Sequence, residues 1–254
     1  MLGRILRNAG MFAALALASV GSAFAFYSSM GPGSADCGEI GDGYGPFDYR
    51  TAPMSERKLV EGAHFTPEIE KLIRGRSSGA NLAGDIDYTL RAFPNHHRAL
   101  LSMMNAGFKW KTDKPPGTRY TVQCWFERAI VFSPDDGRVY MLFGIYLLRK
   151  GSPETAVRAL NKAQELSTED ANLDYNLGLA YFSLKDYDKS LRHAHEAYRL
   201  GFPLPGLRDM LKRAGKWQDP PTPAPDSKAP ETAAVKDPAS TDSAGSSPGA
   251  AVTK

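Results

Sequence analysis

Two adjacent histidines, His96 and His97, close a run that also holds Asp85, Asp87, Tyr88, Arg91 and Asn95. Together with His64, they are the residues whose types could hold a metal ion or carry a proton. Successive residues of a helix point about 100 degrees apart, so neighbouring histidines rarely reach one ion. His193 and His195 fall on different faces of a helix and suit a shared ligand no better. A plainer account covers most of the run. Asp87 and Arg91 are spaced to pair along one helix, and Asn95 after Pro94 is placed to cap the next, with His96 and His97 in its first turn. His64, His96 and His97 therefore stand as metal candidates on residue type alone, and no cofactor is expected. The glycines from Gly38 to Gly45 invite a phosphate-loop reading, but no Lys-Ser/Thr follows and Pro46 stops a helix from opening there. Neither a Gly-x-Ser-x-Gly nor a His-Glu-x-x-His pattern occurs, so no catalytic residue is assigned and the chain is expected to bind rather than catalyse.

The other reactive side chains are Cys37 and Cys124, the only two cysteines. They are not a Cys-x-x-Cys pair, which leaves redox catalysis without support. Their meaning depends on the compartment. Residues 1–25 carry Arg4 and Arg7, an apolar stretch from Ala9 and the small-residue triplet Ala23-Phe24-Ala25, the three parts of a secretory signal peptide. Retention of this segment as a membrane anchor is the alternative. Export to the periplasm or cell envelope would let Cys37 and Cys124 close as one disulfide, two buried free thiols being the alternative. Without Arg4 and Arg7 the formal net charge falls from +3 to +1, so there is no basic field for nucleic acid.

Elements that would position these residues come from a phase match. Phe143-Gly144 and Leu177-Gly178 lie 34 residues apart, each inside a pair of helix-like segments. Tyr140, Phe143, Gly144 and Leu147 make a stripe along one helix face, and Gly151-Ser152-Pro153 breaks the helix, with Ser152 placed as N-cap and Pro153 at the first helical position. Ala156, Leu160 and Ala163 follow. The next unit repeats the plan with Leu177, Gly178 and Tyr181, then Ser190, Ala194 and Ala197. Upstream, Arg98 to Trp110 and Phe126 to Pro134 read as a further pair interrupted by the turn-rich Lys111 to Thr118. The stretch from Gly84 to Phe93 reads as another second helix, and Leu207 to Ala214 as a short cap.

This pattern resembles the tetratricopeptide-repeat (TPR) superfamily. Small residues at Gly144, Gly178, Ala156, Ala163 and Ala197 match its consensus, Ser190 is a variant, and Asp174 stands where Tyr140 supplies an aromatic in the preceding unit. The blocks Gly45 to Arg50, Gly62 to Glu68 and Asp87 to Leu100 are also similar to exported proteobacterial TPR proteins of unsettled function, which implies an N-terminal arm that is a fixed part of the domain and wraps the first repeat. The expected architecture is an all-α, TPR-like helical solenoid of about three repeats. Its parts are a signal peptide (1–25), an N-terminal arm that is mostly coil (26–78), the helical domain with its capping helix (79–217) and a disordered Pro/Ala/Ser-rich tail (218–254).

Repeats of this kind present first helices on a concave face, where the resemblance puts Arg138, Met141, Ile145, Tyr175, Asn176, Leu179 and Phe182 within reach of a bound segment. The chain is thus expected to be an adaptor or assembly scaffold that holds a protein or peptide partner, with Tyr175 and Phe182 as aromatic anchors. Glycan or peptidoglycan binding, with Trp110 and Trp125 stacking on sugars, is the main alternative. A factor centred on His64, His96 and His97 is the other.

Overall fold

A computed structural model describes residues 37–41, 43–75, 82–167 and 169–220. The chain divides into two units, residues 1–218 and 219–254, and of the second only Asp219 and Pro220 are described. The expected signal peptide and nearly all of the expected disordered tail lie outside the described residues. No described helix is long and apolar enough to cross a bilayer.

The first unit is built of helices, and no strand occurs among the described residues. In chain order they are α1 (Met54–His64), α2 (Pro67–Glu70), α3 (Leu82–Ala92), α4 (His97–Trp110), α5 (Val122–Phe132), α6 (Gly137–Arg149), α7 (Pro153–Leu166), α8 (Ala171–Ser183), α9 (Tyr187–Arg199) and α10 (Gly206–Arg213). The packing is solenoid-like. α6 pairs with α7 and α8 with α9, each second helix meets the first helix of the next pair, and α4, α6 and α8 also touch in succession. One core runs through the pairs, from Ile86 and Leu90 through Met103, Trp125, Phe126, Tyr140 and Phe143 to Leu160, Leu177 and Ala180.

Close approach explains the small residues. A Cβ on Gly144 would lie 2.6 Å from Leu160 Cγ, and one on Gly178 would lie 2.4 Å from Leu207 Cδ2. Ser190, the variant small residue, donates its hydroxyl to the Gly178 carbonyl at 2.8 Å, so the helix pair stays tight without an alanine there. The departure at Asp174 has a partner too. Its carboxylate lies 2.8 Å from His193 Nδ1, and the His193 ring stacks on Tyr181. A buried, hydrogen-bonded aspartate–histidine couple thus replaces the aromatic packing of Tyr140.

Caps set the helix starts. Asp136, Asp170 and Asp186 accept amide hydrogens at the beginnings of α6, α8 and α9, and Thr121 does so for α5. Two expectations need correction. Ser152 makes no capping hydrogen bond, leaving Pro153 to shape the start of α7. Asn95 does not cap α4 either: His96 takes that place, accepting from the Ala99 amide through Nδ1 at 3.2 Å, because Asn95 is turned inward to other partners.

The arm holds two helices besides its coil. The segment taken as mostly coil over 26–78 contains α1 and α2, and Val60 and Ile69 bury against the rest. Its coil portion, 43–53, lies across the turn between α3 and α4. Gly45 (φ +97°) brings the backbone so close to Ala92 that a Cβ would sit 2.5 Å from the Ala92 carbonyl oxygen, and Phe47 then donates its amide to that oxygen at 2.9 Å. Phe47 and Tyr49 pack on Phe93, which is fully buried. The arm is therefore a fixed part of the unit.

Candidate protein-interaction surface

Each of α4, α6 and α8 begins one residue after its capping residue, so their positions can be compared in phase. On α4, Arg98, Leu101 and Asn105 are exposed and Phe108 is half-buried. Their spacing puts them on one stripe. α6 continues the row with Arg138 exposed, Ile145 and Leu148 half-buried and Arg149 exposed, while Met141 is only 7% exposed. Arg149 bridges the two helices: its Nη1 donates to Asn105 Oδ1 at 3.1 Å, and its guanidinium lies 3.9 Å from the centre of the Phe108 ring. Leu101, Asn105 and Phe108 were not among the expected groove residues. Counting the repeat from His96 in phase with Asp136 would have found them, but the Lys111 to Thr118 insertion hid that register.

Two open depressions flank this row. One, of about 410 Å³, is lined by Gly137, Arg138, Met141, Leu166, Asp170 and Leu173. The other, of about 390 Å³, is walled by the insertion, with Phe108 and Tyr146 in its lining and Lys150 held to Asp113 at 2.6 Å.

The expected anchors on α8 sit differently. Tyr175 stacks on Phe202 with ring centres 4.0 Å apart, and Phe182 meets Tyr187 edge-on at 5.4 Å. With Leu179, they pack against the buried cluster of Ala194, Leu207 and Leu211. The cap covers part of their apolar area, and all three stay half-buried. The physical reason is that the last repeat has no successor, so α10 and the connection before it cover the face that an inner repeat would give to its neighbour. Asn176 turns its amide to its own helix, donating to the Asn172 carbonyl at 2.7 Å. The seven expected residues therefore divide, with Arg138, Met141 and Ile145 on the row shared with α4 and the four α8 residues at the capped end.

The histidines belong to a polar seam between the arm and the repeats. Asn95, fully buried, donates through Nδ2 to Asp48 Oδ1 at 2.8 Å and Asp136 Oδ2 at 3.0 Å, and accepts the Tyr49 amide at 2.9 Å. His97 Nε2 lies 2.8 Å from Asp136 Oδ2. His96 Nε2 faces Glu61 Oε1 at 2.9 Å beneath the Tyr49 ring, and His64 Nδ1 faces Asp85 Oδ1 at 3.0 Å. Each histidine thus has its own carboxylate. The geometry does not bring His64, His96 and His97 to one point.

Charge in the seam follows from these contacts. The Arg50 guanidinium, with Asn95, holds the Asp48 carboxyl far below the usual range. Burial works to raise Asp136, but His97, Asn95 and Arg50 outweigh it and keep the group low. His96 holds Glu61 low, against burial and with help from Tyr49. For His96, burial dominates and pushes the imidazole below its ordinary value despite Glu61. The expected Asp87–Arg91 pair forms at 3.1 Å, and Asp87 also accepts the Arg119 amide at 2.7 Å, tying the insertion to α3. Of the two tryptophans considered for sugar stacking, Trp125 is 1% exposed and cannot serve, whereas Trp110 stands at the surface.

No protein-family model matches the chain. Over 120 residues it is 29% identical to intraflagellar transport protein 70A of Bos taurus, a stretch that covers 46% of this chain and 18% of that protein. The chain spans less than a fifth of the length of that relative. The stacked helix pairs make the first unit a helical, solenoid-like module.

Proposed function

We propose that this chain is a TPR-type interaction module that binds a protein partner along the row formed by α4 and α6, and that it works by holding rather than by catalysis. The observation that carries this reading is the exposed stripe Arg98, Leu101, Asn105, Arg138 and Arg149, continuous across two repeats on helices whose other faces are buried. Apolar contacts at Leu101, Phe108 and Ile145 supply area, and the arginines and Asn105 supply hydrogen bonds to a bound segment, the mix seen where a peptide docks through a few anchors. The chain has the sequence features of an exported protein, and we place its work in the bacterial envelope, as an adaptor or assembly scaffold.

The test is affinity capture from the source cells with the intact protein and with a Leu101→Asp, Ile145→Asp double variant, both shown folded by circular dichroism. Capture of a defined partner that falls at least about tenfold in the variant supports the reading, because a desolvated charge at an anchor costs this much or more. Equal capture by the two proteins places the partner elsewhere.

A further inference from the structure

The cysteines have a third companion. Cys37 and Cys124 are bonded to each other, and Glu127, on the same helix as Cys124 and one turn further on, brings Oε2 to 3.0 Å from Cys37 Sγ. The two sulfurs and the carboxylate oxygen all lie within 4.8 Å of one another, the one grouping of metal-ligating atoms of this kind among the described residues. Cys124 and Glu127 are each 3% exposed, while Cys37 is only half-buried and gives a way in.

The surroundings would keep this grouping together without the sulfur–sulfur bond. Arg128 Nη1 donates to three successive carbonyl oxygens, those of Cys37 (2.7 Å), Gly38 (3.0 Å) and Glu39 (2.8 Å), and so pins the backbone that carries Cys37. Gly38 lies so near the Tyr120 hydroxyl that a Cβ would sit 2.2 Å from it. Glu127 is aimed from behind, its other oxygen accepting from Gln123 Nε2 at 2.8 Å. A carboxylate oriented by an amide, beside two cysteines on separately anchored backbones, is the arrangement of a ligand set with its outer shell in place.

We propose that the reduced chain binds a thiophilic divalent ion such as Zn²⁺ through Cys37, Cys124 and Glu127, so that the same residues fasten the arm as a disulfide when oxidised and as a metal chelate when reduced. Reduction by a phosphine or a dithiol adds two electrons and two protons across the S–S bond to give two thiols, the reductant being oxidised to phosphine oxide or disulfide. Metal binding then releases both protons. Two thiolates and one carboxylate carry three negative charges, which the ion and the Arg128 guanidinium balance. A metal–thiolate distance of about 2.3 Å requires only that the two sulfurs move apart by a side-chain rotation, with water as the fourth ligand.

The experiment uses the full chain, reduced with a non-chelating phosphine and titrated anaerobically with Co²⁺ and then Zn²⁺. The expected result is one equivalent of Co²⁺ with a thiolate-to-cobalt charge-transfer band, displaced by Zn²⁺ and absent from the oxidised protein and from Cys37→Ser. Gln123→Ala, which removes no ligand, weakens binding about tenfold or more, and Glu127→Gln weakens it further. If the reduced chain unfolds, refolding on addition of Zn²⁺ supports the proposal and continued unfolding overturns it. It is overturned as well if the folded, reduced protein takes up no Co²⁺, or if Glu127→Gln leaves the affinity unchanged.

Discussion

His96 caps α4 through Nδ1, which accepts the Ala99 amide, and this leaves the proton on Nε2 facing Glu61. A second proton would have to displace the cap, which agrees in direction with the lowering that burial imposes. The sign of the pH effect follows. The folded-state value lies below that of the unfolded chain, so the unfolded chain takes up the proton first, and the contribution of His96 is full above about pH 6.5 and is lost as pH falls toward the folded-state value. Glu61, held low by His96, adds a further loss below its ordinary value of about 4.5. Denaturant midpoints are expected to decline between pH 7.5 and 5.5. The decline should be smaller in His96→Asn, which keeps a cap acceptor but titrates nothing. An unchanged slope in that variant would remove His96 from the account. None of this was legible in the run from Asp85 to Arg98. The sequence displays the spacing of Asp87 and Arg91, but the carboxylate partners of Asn95, His96 and His97 come from segments 35 or more residues away.

The elements were legible where packing repeats. Gly144 and Gly178 recur at a fixed spacing because each lies where helices touch, Gly144 against Leu160 of its own pair and Gly178 against Leu207 of the cap, with the Ala156 and Ser190 carbonyls at matching places. Hence an added side chain at one of them should be costly. Gly144→Val, which must push Leu160 and the Ala156 carbonyl aside, is expected to lower stability by about 1 to 3 kcal/mol. Gly62 on α1 makes the counter-case: nothing lies within 4 Å of an added Cβ, so Gly62→Ala should raise stability by up to about 1 kcal/mol through helix propensity alone. Thermal denaturation of the two variants checks both signs, and a gain at Gly144 or a loss at Gly62 would contradict the packing described. α1 itself was missed because it lacks a side-chain cap, holds Gly62 and is held largely by contacts to α3 rather than by its own period.

At the scale of the whole repeat unit, the position of the end decides what is available for binding. Tyr175 and Phe182 match the consensus for an inner face, and the sequence predicts a cap after α9 without showing which side chains it meets. The cap helix was visible as an amphipathic segment, but its reach over α8 depends on Phe202 and Leu207, which no local pattern connects to Tyr175 or Gly178. The polar exception at Asp174 was equally visible as a departure and equally unexplained until His193 was placed beside it. In the proposed reading binding uses α4 and α6, where Leu101 and Asn105 are exposed. The most direct measurement is photo-crosslinking in intact cells with the photoreactive residue placed at position 105, or, as a control, at position 131 on α5, a helix outside the row, where Val131 is 58% exposed. A discrete partner adduct at 105 that is lost in the Leu101→Asp, Ile145→Asp background, with none at 131, is the expected result. Adducts at 131 equal to those at 105, or none at 105 in folded protein, would contradict it.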